Sequence, residues 1–253
     1  MKITGCRILH CNAGWRDFSF LKVTTDENIT GIAEFNECYG SPGLSGVIRR
    51  LVERVKNMDA MGHERIHQYL YAATRQAPGG VNQQAIAAIE NALLDIKGKA
   101  LNAPVYDLLG GAIRHEIPVY WSHCGTYLMR PEIAELCGVE PLQGIDDLVN
   151  LGRRVSAAGF TGLKTNMITF DKEGRIGRHA PGFGAAPGWP ELNTPSDLVE
   201  QLRNQLMAMG EGAGPEVGLR LDLNFNCKPE GYRQITSGLD AVSYTHLTLP
   251  TTD

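Results

Sequence analysis

The chain has 253 residues, of which 43% are hydrophobic, 21% charged and 7% aromatic, with a formal net charge of −4. This is globular composition, sufficient for a real core and for one or two domains. The acidic balance argues against a nucleic-acid partner, which calls for a basic excess, and no window nears ~18 uninterrupted apolar residues, so no membrane partner is expected. Met1 to Cys6 carries no apolar leader. Six cysteines (Cys6, Cys11, Cys38, Cys124, Cys137 and Cys227) show no CxxC spacing. They are expected to be reduced thiols of a cytoplasmic protein.

The elements follow in chain order. Lys2 to His10, Phe18 to Thr25 and Ile29 to Phe35 alternate as three strands of an antiparallel meander. Val47, Leu51, Val52, Val55 and Met58 recur at helical spacing, and Arg65 to Thr74 is a shorter helix. From about Asn82 to Ala100, Ile86, Ile89, Leu93, Ile96 and Ala100 form one apolar stripe, with Asn82 as the expected N-cap and Pro104 as the stop. Val105 to Gly111 reads as a short turn closed by glycines.

Beyond Gly111 the pattern changes. Ile117 to Trp121 reads as a strand, Ile145 to Ala158 as a helix and Phe160 to Asn166 as a strand. A long Gly/Pro-rich stretch occupies 167 to 195, a helix opens at Pro195-Ser196-Asp197, Val217 to Asn224 is a strand, and Tyr232 to Ser237 is a partial helix. Strand and helix in alternation predict parallel βα units.

In such architectures the chemistry sits at the C-terminal ends of the strands. Three ends are legible: Ser122-His123-Cys124, Lys164-Thr165-Asn166 and Asp222-Leu223-Asn224. Period-two alternation puts Arg220, Asp222 and Asn224 on one side. Asp222 offers a carboxylate to a hard cation such as Mg²⁺, or caps a helix or pairs with a lysine. Lys164, inside an apolar strand, is costly unless paired. It either meets a substrate carboxylate, acts as a base, or forms an ion pair with Asp222. His123 and Cys124, being adjacent, point to opposite faces of a strand. No CxxC or HxxxH spacing supports zinc, so His123 reads as structural rather than as a zinc ligand. No nucleophile elbow or P-loop is present.

The run from Ala85 to Gly111 (AIAAIENALLDIKGKALNAPVYDLLGG) resembles the cap-domain signature of the mandelate racemase/muconate lactonizing enzyme group of the enolase superfamily. The meander before it, including Gly31-Ile32-Ala33-Glu34, resembles the same cap, and the resemblance continues through Lys164 and Asp222-Leu223-Asn224. It implies an α+β cap domain over residues 1–116 followed by a truncated, modified (β/α)-barrel of TIM type. Residues 117–241 would supply its first three βα units. It implies Mg²⁺ as cofactor and removal of the proton α to a carboxylate, with the enediolate stabilised by the cation. The expected partners are a small carboxylate substrate, an acid sugar, and further copies of the chain in a homo-oligomer.

Carried over by position, Asp222 matches the first of three acidic metal ligands and Asn224 an asparagine beside the site. Lys164 matches the first lysine of a Lys-x-Lys pair. Asn166 stands where the second lysine, the usual base, would be, and an amide cannot take a proton. The base would then be a His–Asp dyad on later strands, which favours a dehydratase or cycloisomerase over a two-base racemase. A muconate-type cycloisomerase or racemase and a non-catalytic relative are the alternatives. Trp15, Arg16 and Tyr39 fall where the cap's specificity loops belong, as substrate contacts or as ordinary turn residues.

A complete barrel needs ~250 residues beyond the cap, so the parent should be longer and this piece by itself inactive. Residues 242–253, with the Thr-rich string SYTHLTLPTT, resemble a read-through sequence rather than a fourth strand with an acidic end, and His246 is not read as catalytic.

Overall fold

The computed structural model describes residues 1–38, 41–183 and 194–239, together with the backbone of 246–248. The chain divides into two units, Met1–His115 and Glu116–Asp253.

In the first unit, β1 (Ile3–Asn12), β2 (Asp17–Thr25) and β3 (Thr30–Phe35) form an antiparallel sheet in that order. Helices α1 (Leu44–Val55), α2 (His63–Ala73), α3 (Gly80–Leu101) and α4 (Val105–Leu108) follow. The stripe on α3 is the heart of the core: Ile86, Ile89, Leu93 and Ile96 are at most 1% exposed and pack with Leu21, Val23, Ile48 and Leu70.

Sheet and helix are joined by more than apolar contact. β3 is an edge strand, and an edge leaves backbone donors without a ladder partner. The Ile32 amide donates to Asp95 Oδ2 at 2.8 Å, and Lys99 Nζ donates to the Thr30 carbonyl at 2.9 Å and to Asp95 Oδ2 at 2.6 Å. Asp95 and Lys99 are two of the three charged letters of the LLDIKGKA run, so that signature docks the edge strand. The approach is close enough that a methyl group at Gly31 would overlap the Ala92 carbonyl oxygen.

One expectation fails here. Asn82 is not the N-cap of α3; that place belongs to Gly79, and Asn82 lies inside the first turn, its amide donating to the Ala77 carbonyl at 2.8 Å. Two consecutive glycines with positive φ, Gly79 and Gly80, start the helix earlier than the side-chain pattern indicates. Val105 to Leu108, expected as a turn, closes one helical turn instead.

The second unit contains α5 (Pro131–Leu136), α6 (Ile145–Ala157), β4 (Gly162–Asn166), β5 (Ile168–Phe170), β6 (Ile176–Arg178), α7 (Leu198–Ala213), β7 (Gly218–Asp222), α8 (Pro229–Leu239) and β8 (His246–Thr248). β4 and β7 are parallel neighbours, and β8 runs parallel to β7 on its other side. The backbone at His246–Thr248 is therefore strand; the rest of the Thr-rich tail lies outside the described residues. Leu163, Leu219, Leu221 and Leu223 face the core made with Leu148, Leu151, Leu202 and Leu206.

Three further readings are corrected. Ile117 to Trp121 is not a strand: Trp121 alone bridges Leu163, while Ile117 is 77% and Val119 64% exposed. Apolar alternation without a partner on either side does not make a ladder. The Gly/Pro-rich stretch after Asn166, for which no element is expected, contains a hairpin of β5 and β6. Its edge is held by helix side chains: the Ile168 amide donates to Gln205 Oε1 at 3.0 Å and the Phe170 amide to Gln201 Oε1 at 2.7 Å. Finally, Ser122-His123-Cys124 is a turn rather than a strand end. His123 has φ of 53° and its ring is bonded back to Ser122 Oγ at 3.0 Å, while Cys124 is wholly buried.

Two glycine substitutions should separate in sign. Gly31→Ala must push β3 off α3 and should destabilise the first unit by roughly 1–3 kcal/mol. Gly46→Ala, within α1 and with open space around its Cα, should stabilise by about 0.5–1 kcal/mol through helix propensity. Urea unfolding checks both, and equal effects would refute the close-approach account.

Candidate active site

The parallel register sets Lys164 opposite Arg220 and Asn166 opposite Asp222. Lys164 Nζ crosses diagonally to Asp222 Oδ2 at 2.7 Å, with side-chain exposures of 13% and 19%. The other carboxylate oxygen, Oδ1, accepts the Asn224 amide at 3.0 Å. Asn224 itself takes a left-handed φ of 49°, which asparagine tolerates, and this turns the chain sharply after the strand. Its carbonyl accepts the Tyr232 hydroxyl at 2.7 Å, anchoring the turn to α8.

Asn166 is 3% exposed and fully employed. Its Oδ1 accepts the Thr126 hydroxyl at 2.9 Å and its Nδ2 donates to the Asp222 carbonyl at 3.4 Å. Behind it, Gln205 is wholly buried on α7, its Nε2 donating to Thr165 Oγ1 at 3.0 Å and to the Asn166 carbonyl at 2.7 Å. Four residues singled out from sequence, Lys164, Asn166, Asp222 and Asn224, thus meet at adjoining parallel strand ends. Of the alternatives for Lys164 and Asp222, the geometry realises the ion pair.

Sequence patterns do not reveal the roles of two neighbours. Gln205 is a polar position on an otherwise apolar helix face, and only the tertiary contact reveals the backbone groups it satisfies. Arg220 lies over the Tyr120 ring at 5.1 Å, its Nη1 buried without a hydrogen-bond partner among the described residues.

Trp15 and Arg16 lie in the other unit, at the tip of the β1–β2 hairpin. Arg16 is held between aromatic rings, 5.4 Å from the Trp15 centroid and 4.6 Å from that of Phe18. The loop is closed by Asn12 Nδ2 donating to Asp17 Oδ1 at 2.7 Å and by the Gly14 amide donating to Asn12 Oδ1 at 2.8 Å. Tyr39 lies outside the described residues.

Asp222 has the oxygen donors a hard cation prefers. The donor count falls short of a cage, because among the described residues no group of three metal-ligand side chains forms around it. The one such cluster is His63, Glu64 and Glu90 in the first unit. The expectation that no HxxxH spacing is available is corrected here: His63 and His67 have that spacing on α2.

An α+β meander-and-helix unit, followed by parallel βα units with an acid and a lysine at their strand ends, makes a two-unit α/β protein. Residues 11–110 match the N-terminal domain of the mandelate racemase / muconate lactonizing enzyme family. A D-galactonate dehydratase family member from Streptomyces bingchenggensis (strain BCW-1) is 32% identical over 237 residues, 90% of this chain and 53% of that protein. The crystal structure of a candidate L-alanine-DL-glutamate epimerase from Burkholderia xenovorans strain LB400 superposes with a TM-score of 0.90 at 41% identity. That match covers 98% of this chain and 62% of that one. A second structure from that strain, with the same description and bound to magnesium and fumarate, gives a TM-score of 0.89 at 41% identity over 97% of this chain and 60% of its own. The first unit therefore carries the N-terminal domain of the mandelate racemase / muconate lactonizing enzyme family. The chain spans 53% to 62% of the length of these relatives.

Two outcomes follow from the geometry. Asp222→Leu alone strands the Lys164 ammonium and should cost on the order of 2 kcal/mol, below the 3–5 kcal/mol of a wholly buried pair, because both groups touch solvent. Adding Lys164→Met should restore most of that loss, and a double-mutant cycle in urea showing additive losses would refute the pairing. Cys124, whose thiol burial pushes up to about 12, should resist alkylation at pH 8 in the native fold and react only on unfolding. The exposed Cys11, Cys38 and Cys137 should react at once.

Proposed function

We propose that this chain supplies the cap and the first barrel strands of an enzyme that removes the proton α to the carboxylate of a small acid sugar. Dehydration or cycloisomerisation would follow. The observation that carries the proposal is the convergence of Lys164, Asn166, Asp222 and Asn224 at neighbouring parallel strand ends. The dehydratase name of the Streptomyces relative and the magnesium and small dicarboxylate held by the Burkholderia protein support the substrate class and the cation.

A proton α to a carboxylate is very weakly acidic, because its removal loads a second negative charge onto the carboxylate oxygens. Positive charge placed at those oxygens lowers the barrier. Lys164 is the group here that could meet a substrate carboxylate, exchanging its contact with Asp222 for one with the substrate. Asp222 would be one oxygen ligand of Mg²⁺, which when bound would supply the larger share of that positive charge. Its remaining ligands are not gathered among the described residues. Asn166 is a positioning residue: it joins Thr126 to the Asp222 carbonyl and takes no proton. The base would be a His–Asp dyad on later strands of a complete barrel. Asn224 would face the substrate from the turn after Asp222. Trp15, Arg16 and Tyr39 would contribute from the cap, with the Arg16 guanidinium suited to an anionic or hydroxylated acid.

The commitment of Asn166 to structural hydrogen bonds favours a second reading, a superfamily member without catalysis. A single experiment separates the two. The chain, extended to the length of its relatives, is incubated in D₂O with Mg²⁺ and a panel of acid sugars, and the α-proton is followed by NMR. Exchange and a dehydrated or cyclised product, both lost in Asp222→Asn, are the expected result; an intact panel throughout would leave only the non-catalytic reading. This chain by itself should show no exchange. In calorimetry its Mg²⁺ binding should not saturate below about 1 mM, as suits a single carboxylate.

A further inference from the structure

Helix α2 opens with His63-Glu64-Arg65-Ile66-His67, which puts two imidazoles one turn apart on one face. Glu90 of α3 lies against them. Ligand atoms of His63, Glu64 and Glu90 all fall within 4.8 Å of one another. His67 Nδ1 is 2.9 Å from Glu90 Oε2, and His63 Nε2 is 3.7 Å from Glu64 Oε1. His63 Nδ1 is buried and makes no hydrogen bond among the described residues.

Charge balance adds to the geometry. Among the described residues the ion pairs of Glu64 and Glu90 are with these histidines. With the imidazoles neutral, the cluster holds two negative charges and no fixed cation. A divalent ion among these ligand atoms would cancel them.

We propose that the first unit binds a divalent transition-metal ion of the zinc type through His63, Glu64 and Glu90. His67 holds Glu90 from behind. A hydrogen-bonded partner on a ligating carboxylate is the usual second layer of such sites. Imidazole among the donors selects zinc and its transition-metal neighbours over Mg²⁺, which prefers oxygen throughout. Glu64, with its side chain 78% exposed, leaves the outer side open to a water ligand. The ion would tie α2, which buries only Ile66 and Leu70, to the long helix α3. The site lies within the cap and is independent of the chemistry proposed for Asp222.

The test is calorimetric titration of the chelator-stripped chain with Zn²⁺ in excess Mg²⁺, paired with zinc X-ray absorption. One equivalent should bind at about micromolar affinity or tighter and raise Tm. The absorption spectrum should show nitrogen and oxygen at about 2.0–2.1 Å and no sulfur at about 2.3 Å. Glu90→Gln and His63→Gln should each weaken binding by at least about 100-fold, and His67→Gln by about 10–100-fold. Because Glu64 is exposed, Glu64→Gln should fold normally and still weaken binding, so the test survives a misfolded core variant. No binding at about 100 µM Zn²⁺, binding that Glu64→Gln and Glu90→Gln leave unchanged, or sulfur ligation by the exposed cysteines would each overturn the proposal.

Discussion

A lysine placed inside an apolar parallel strand must find an anion or lose its charge, and the second unit is arranged around that requirement. Lys164 cannot reach sideways, since its register partner is Arg220. It reaches diagonally to Asp222, two positions further along β7, and this fixes which carboxylate oxygen is committed to the pair. The second oxygen is taken by the Asn224 amide, so the turn after the strand is shaped by the same acid. Asn166 then closes the gap between the strands, and Gln205 satisfies the Asn166 carbonyl and the Thr165 hydroxyl from the helix behind. A chain of satisfied polar groups thus holds the mouth of the strands, where loose side chains would cost several kcal/mol in desolvation.

The cap obeys the same rule with different residues. Its long helix is amphipathic, but apolar contact alone would leave the edge strand's donors facing nothing. Asp95 and Lys99 supply the missing partners for Ile32 and Thr30, and Gly31 lets the backbones approach. On another side of the same helix Glu90 meets His67 of α2. One helix therefore organises the sheet through one acid and the neighbouring helix through another. This accounts for the dense charge in a segment whose stripe is among the most buried of the unit.

Much of the fold was legible because the information is local. The stripe on α3, the meander and the alternation of Leu219, Leu221 and Leu223 with polar neighbours are periodicities, and periodicity survives without knowledge of partners. What failed was what depends on partners. Ile117 to Trp121 has strand composition and finds a single bridge. The β5–β6 hairpin hides in a Gly/Pro-rich run and is held at its edge by Gln201 and Gln205 from a helix some thirty residues later. The start of α3 carries no side-chain signal, because paired glycines and not a capping side chain begin it.

The candidate site divides in the same way. The sequence by itself determined the family of the N-terminal domain, through the Ala85–Gly111 signature, and named the acid, the lysine and the two asparagines, because strand ends in βα units are readable one strand at a time. It also contained the His63–His67 spacing, since i and i+4 share a helix face whatever the tertiary fold. Only the tertiary structure decided that Lys164 and Asp222 are bonded to each other, that Asn166 is spent on Thr126 and the Asp222 backbone, and that Glu90 stands beside the two histidines. Those facts depend on strand register and helix packing between residues twenty to sixty positions apart, and such pairings are set by which buried polar groups must satisfy one another, not by any local period.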